Sequence, residues 1–305
     1  MTADNSPGNS QEHIVSALSG EEAPPPPPIA PAEPSTFRKA LRQKRFTVGL
    51  GITVLLVLFA VFGRYLAPHG ENDVTGPPYN KSAGFLGTDY LGQDVWSRVM
   101  YGGREILFIA LLGTLLGMVL GIAIGVVAAY GGGWWDEVIM RLNDVILSFP
   151  QILLALVVLT ALSNPSAWIL IVLVGVSHAP RVARLARGVA LGIVSRDFVI
   201  AAEALGEKRS RVILAEVLPN MNAPLLAEGG LRLTYSIGLV GALGFLGFST
   251  NPTAANWGQM IQENRLGLVT QPWGVVAPVL VIAIFAIGTN LMADGIAQVA
   301  QRGDN

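Results

Sequence analysis

Three groups of residues have types and spacings that can do chemistry. The first is Asp89, Asp94 and Arg98, crowded on a short stretch with Leu91, Val95 and Trp96. Two carboxylates five apart suggest calcium. A calcium loop, however, needs acidic ligands at tighter repeated spacing and a closing glutamate, so no metal is expected. The second is Glu228 and Arg232, four apart, which a helix places on one face with the acid N-terminal. Charges inside an apolar run face a bundle interior or a water-filled path. A pore-lining pair able to meet a charged cargo terminus and a purely structural pair both stand at this point. The third is residues 197–220, a polar, basic and helix-favouring island between strongly apolar segments. Ala201, Ala202 and Ala204 give it a thin face, Gly206 breaks it, and Leu218–Pro219 ends it. A thin face lets another backbone approach closely, and flanking charges register a partner. A solvated loop satisfies the same composition equally well.

No catalytic residue is expected. The four lysines, Lys39, Lys44, Lys81 and Lys208, never follow a glycine, which rules out a phosphate loop of the Gly-Lys-Ser/Thr type. No nucleophile elbow, zinc-binding helix or nucleic-acid patch is visible. With no cysteine, disulfides, thiolate zinc sites and iron–sulfur clusters are excluded.

The elements that must position these groups are membrane helices. Of the 305 residues, 51% are apolar and 13% charged, about half the charge of a soluble domain. Six long apolar runs read as spans near 46–66, 104–130, 138–162, 167–187, 222–248 and 273–298. Their continuity favours helices over a barrel. Residues 1–35 contain Pro24–Pro28 and no apolar core; they read as a disordered Pro-rich cytoplasmic tail, with 36–305 as the six-span domain. Arg38, Lys39, Arg42, Lys44, Arg45, Arg141 and the seven basic residues from Arg181 to Arg211 fall on one side of such a layout. Arg64, Lys81, Arg98, Arg104 and Arg265 fall on the other. Thirteen against five puts both termini in the cytoplasm. Residues 67–103 and 249–272 are then external, long enough for short helices. The glycines at 113, 117, 121 and 125 recur every four residues, a stripe for close packing either inside this subunit or against a sister.

The spacing Ala201-Ala202-x-x-x-Gly206, followed after eleven residues by Leu218-Pro219, resembles the docking loop of ABC importer permeases. Further motifs carry the resemblance across 35–300: Gly87-Thr88-Asp89-Tyr90-Leu91-Gly92-Gln93-Asp94, Tyr130-Gly131-Gly132-Gly133-Trp134-Trp135-Asp136, Ala183-Arg184-Leu185-Ala186-Arg187-Gly188, Phe245-Leu246-Gly247 and Trp257-Gly258. The chain is similar to the C-type permease subunit of dipeptide/oligopeptide importers. Ile200 departs from the loop's usual glutamate, Gln93 from a common arginine and Ile106 from a frequent serine.

The resemblance implies an all-α membrane protein of the type I importer fold, with a cytoplasmic coupling helix between spans four and five. It implies an ATPase-docking role for Ala201, Ala202, Gly206, Leu218 and Pro219, and a gating or partner-contacting role for Asp89, Asp94 and Arg98. The partners it implies are a second permease subunit, two cytoplasmic ATPases that bind ATP and Mg, and an extracytoplasmic peptide-binding protein. This chain itself would sit in the cell membrane and need no cofactor. Nickel and glutathione importers use similar permeases. An ion-coupled secondary transporter is the rival, but it should show internal repeats, broken helices or midplane ion-coordinating carboxylates; the mid-span acids are few and no repeat between the halves is apparent.

Overall fold

In the computed structural model, the described residues are 40–162, 166–251 and 253–303; the expected tail lies outside them. All regular structure among them is helical apart from two isolated bridges, Val74–Gln93 and Thr88–Asp94. The elements are α1 (Lys44–Leu66), α2 (Val95–Tyr101), α3 (Gly103–Gly131), α4 (Gly133–Leu147), α5 (Gln151–Ala161) and α6 (Ala167–Val194). They continue with α7 (Asp197–Ala204), α8 (Arg209–Val212), α9 (Asn222–Phe245), α10 (Trp257–Asn264) and α11 (Trp273–Gly303). α8 runs on through a π-helical turn, Ile213–Val217, and a last turn, Leu218–Asn220.

Four helical stretches are long and apolar enough to cross a membrane: α1, α2–α3 taken together, α6 and α11. α9 has the length, 24 residues, but Glu228, Arg232 and its glycines leave it less apolar than those four. The run expected as one span over 138–162 is two helices. α4 and α5 meet at a bend of 76°. Pro150 has no N–H to donate, and its ring pushes Phe149 out of the helical region, so the helix must stop at Ser148. The fourth run extends to Val194, well past the expected 187, carrying Pro180 inside it.

The glycine stripe decides its own question. A Cβ at Gly113 would strike Val174; at Gly117, the Gly175 carbonyl; at Gly121, Val182; and at Gly125, the Ala183 carbonyl at 2.4 Å. The stripe therefore packs α3 onto α6 within this chain, and this is the most extensive helix contact in the molecule. Contact positions rise together along both helices, so α3 and α6 run parallel. α9 runs antiparallel to α3, since Gly229 meets Met118 while Ser236 Oγ lies 2.8 Å from Thr114 Oγ1. α11 is antiparallel to both α9 and α1: Gly230 abuts Ala293, Gly49 abuts Met292 and Gly295 abuts Phe46. The start of α1, the end of α11 and the α6–α9 connection consequently share one end of the bundle. α2 and α10 sit at the other.

The described residues form one compact unit. Its main core includes Ile106, Ile109, Leu159, Leu170, Ile237, Leu243, Met260 and Phe285, with Trp257 of α10 fully buried among them. The Trp257 indole donates to the Val99 carbonyl at 2.8 Å, and the bare backbones of Gly102 and Gly103 make room for its ring. A second core, Val126, Ala129, Ala186, Ala190, Ile193, Val199, Val212, Val217, Met221 and Leu225, lies at the other end.

Candidate functional site

At one end of the bundle, α7 and α8 form a bent hairpin joined to α6 and α9. α7 starts at Asp197, whose acid suits a helix N-terminus, and ends after Ala204. Gly206 closes it at φ +80°: the Gly206 N–H donates to Glu203 O at 3.0 Å and the Glu207 N–H to Ala202 O at 3.2 Å. That pair of bonds is a Schellman cap, which needs a left-handed residue after the helix end.

Only one face of this hairpin is fixed. Val199, Val212 and Val217 are buried in the second core, and the Tyr130 hydroxyl at the end of α3 donates to Glu203 Oε1 at 2.8 Å. The other face is bare. Ala201, Ala204 and Gly206 are exposed, and a Cβ at Gly206 would meet nothing within 4 Å. Ile200 is 54% exposed, Leu205 85% and Leu214 66%. Apolar side chains are thus held out to solvent on an otherwise polar element. Ala202 and Leu218 are half-buried and belong to the anchoring side, while Pro219 is exposed. The π turn at Ile213–Val217 follows directly, an irregularity that recurs where helices serve function. Spacing had pointed to Ala201–Gly206. The roles of Val199, Tyr130 and Glu203 appear only when the chain is folded.

At the opposite end, Asp89, Asp94 and Arg98 come together as expected from their proximity, but inside the protein. All three are at most 3% exposed. Asp89 Oδ1 accepts from the Leu91 and Gln93 N–H groups, each at 2.9 Å, and its Oδ2 accepts from Arg98. Asp94 caps α2, accepting from the Ser97 N–H at 3.1 Å, and His69 Nδ1 lies 3.4 Å from it. Arg98 also donates to Glu263 Oε2 at 3.0 Å, which ties α2 to α10. Tyr90 N donates to Asn264 Oδ1 at 3.0 Å across the same junction. Burial first, and then the Glu263 carboxylate, raise the Tyr90 phenol above its usual value. Glu263 and Asn264 lie more than 160 residues away in sequence, and no spacing pattern could have found them. Gly92 turns this loop at φ +82°, where any Cβ would strike the Gly76 carbonyl.

Glu228 and Arg232 pair on one face of α9 at 2.8 Å, each about nine-tenths buried, with the guanidinium 5.0 Å from the Tyr235 ring centroid. Asp144 pairs with Arg184 at 2.5 Å. Among the described residues no cluster of histidines and carboxylates could hold a metal ion.

The family model described as "Binding-protein-dependent transport system inner membrane component" matches residues 121–303, and "N-terminal TM domain of oligopeptide transport permease C" matches 35–83. A dipeptide transport system permease protein of Alkalihalophilus pseudofirmus is 30% identical, over 93% of this chain and 96% of that one. A glutathione transport system permease protein of Shigella dysenteriae is 32% identical, over 85% and 87%. Among solved structures, the MetNI methionine ABC transporter in an inward-facing form matches with a TM-score of 0.52 at 19% identity, covering 65% of this chain and 96% of that one; at that identity it shows the fold alone. The chain belongs to the binding-protein-dependent transport system inner membrane components, in the dipeptide/oligopeptide ABC permease branch.

Proposed function

We propose that this chain is one of two permease subunits of an ATP-driven importer of short peptides, forming half of the pore. It has no ATP site of its own in this reading; two ATPase subunits bind ATP and Mg, and a binding protein outside delivers cargo. The alternating directions of α1, α3, the α4–α5 pair, α6, α9 and α11 support six crossings, with both ends of residues 36–305 in the cytoplasm. The basic residues at the shared end of the bundle support that orientation. α7 is then the coupling helix, docked through its bare face at Ala201 and Gly206, with Ala202 on the anchored side. Closure of the ATPases pushes on α7, and the buried Val199 and the Tyr130–Glu203 bond pass the push to α3 and α6. The bundle moves between two states whose balance nucleotide biases from a distance. Glu228 and Arg232 border the path.

The observation that carries this reading is a short helix locked to the bundle on one face and bare on the other, with Ile200 and Leu205 exposed. Peptide cargo rests on the dipeptide relative; the glutathione relative names another short peptide. An ion-coupled carrier is not supported, because among the described residues the broken pair α4–α5 has no counterpart in the other half. The chain has no native cysteine, so single cysteines at Ile200 or Leu205 give clean cross-linking. Both should cross-link to an ATPase subunit in native membranes, and cysteine at Trp134 should not. Peptide uptake that persists after deletion of the ATPases contradicts the proposal.

A further inference from the structure

Between α1, α3 and the residues Thr250, Asn251, Ala254 and Ala255 lies a cavity of about 880 Å³, at the end of the bundle away from α7. Its body is apolar, lined by Val57 and Val61 of α1 and by Phe108 and Leu111 of α3. Phe108 and Leu111 are half exposed, as are the neighbouring Leu58 and Phe62, so the cavity opens on an apolar flank of the bundle. Four charges line it as well: Arg64, Glu71, Arg104 and Glu105.

The two acids are already used. Glu105 accepts from the Thr250 N–H at 3.1 Å, the Thr250 hydroxyl and Asn256 Nδ2 at 2.8 Å, which holds the 249–256 loop down. Glu71 Oε2 accepts from the Ala255 N–H at 3.3 Å. The two cations are not. Arg64 has only the hydroxyl and ring of its neighbour Tyr65, and Arg104 makes no hydrogen bond or ion pair among the described residues. Two arginines without acids, above an apolar slot of ligand size that opens sideways, form a complement to one kind of molecule.

We propose that this cavity is a phospholipid site, with one acyl chain between α1 and α3 and the phosphate bridging Arg64 and Arg104. Guanidinium groups match phosphate oxygens in geometry and charge. An uncharged chain would fill the body but leave Arg64, half-buried, and Arg104, exposed, without a counter-charge at the span ends. A free phosphate would satisfy the cations but leave the apolar body wet. The site is independent of the docking face and of the cargo.

The test uses the assembled transporter, reconstituted in phosphatidylglycerol nanodiscs, re-extracted in detergent and examined by native mass spectrometry. Each of Arg64→Gln and Arg104→Gln should lower the retained phospholipid about tenfold, in line with loss of a charge-assisted bond. Val61→Trp, which fills the body and spares both arginines, should displace the lipid too, and it keeps the test decisive where an arginine variant fails to assemble. Inorganic phosphate should not compete. Unchanged lipid in all three variants overturns the proposal. So does competition by inorganic phosphate, or cross-linking of a cysteine at Val61 to the sister permease, which would make the cavity a subunit contact.

Discussion

Replacing Gly206 separates the shape of the docking element from its bulk. The residue sits at φ +80° as the left-handed position of a Schellman cap, and nothing lies within 4 Å of where a Cβ would be. Space therefore imposes no cost; only backbone conformation does. For alanine that cost is roughly 1–2 kcal/mol. Asparagine tolerates the left-handed region better, and valine worse. Because 1.4 kcal/mol is a factor of ten in population, Gly206→Ala should raise the uncapped fraction of α7 by about tenfold, with Gly206→Asn between it and the parent. The Glu207 and Gly206 N–H bonds would open together, and the docking face would lose its end. The assay is ATPase stimulation by the binding protein, in vesicles carrying the full transporter. The expected order of coupling is Gly, Asn, Ala, Val. If Asn were worse than Ala, side-chain size against the docked partner, and not the cap, would govern the effect. Parent-like coupling for both Ala and Val would refute the capping argument.

Other outcomes follow from the same geometry. Arg98→Met leaves Asp89 and Glu263 buried without their shared cation. It should destabilise the protein by about 3–5 kcal/mol, visible as a lower unfolding temperature in detergent, while exposed Arg211→Met should cost under about 1 kcal/mol. Gly125→Ala places a methyl 2.4 Å from the Ala183 carbonyl and should cost about 1–3 kcal/mol, whereas Gly188→Ala, with open space around it, should be neutral or stabilising in the same melt. For Tyr90 the folded state favours the protonated phenol. Its contribution is complete below the ordinary value of 10.0 and is lost as pH rises through the raised one, so an alkaline melt should show a step that Tyr90→Phe lacks.

Much of this architecture was legible along the chain because lipid imposes a one-dimensional rule. Every backbone group must be satisfied within its own segment, so length and apolarity alone mark the helices. The island at 197–220 was legible for the same reason: polar residues amid apolar ones must sit outside the bilayer. Gly206 declared a break because few other residues tolerate the conformation there. Pro150 carried a comparable signal, yet the apolar run around it masked the 76° bend between α4 and α5. The two sides differ, α4 carrying Asp136, Glu137, Arg141 and Asp144 and α5 no charge, but a span count averages across them and does not weigh a single missing N–H.

What folding alone decided are the partnerships. The glycine stripe is written in the sequence, but its partner is not; α6 supplies it because a parallel neighbour presents Val174, Ala179 and Ala183 in matching register. Asp89 and Arg98 read as surface charges on a short amphipathic stretch. Glu263, brought in from 165 residues away, turns them into a buried junction between α2 and α10. The anchoring of α7 by Val199 and Tyr130 is of the same kind. Burial in a membrane is a property of a segment and leaves a local trace in composition; pairing between segments is set by the angles and offsets of packed helices, which no local pattern encodes.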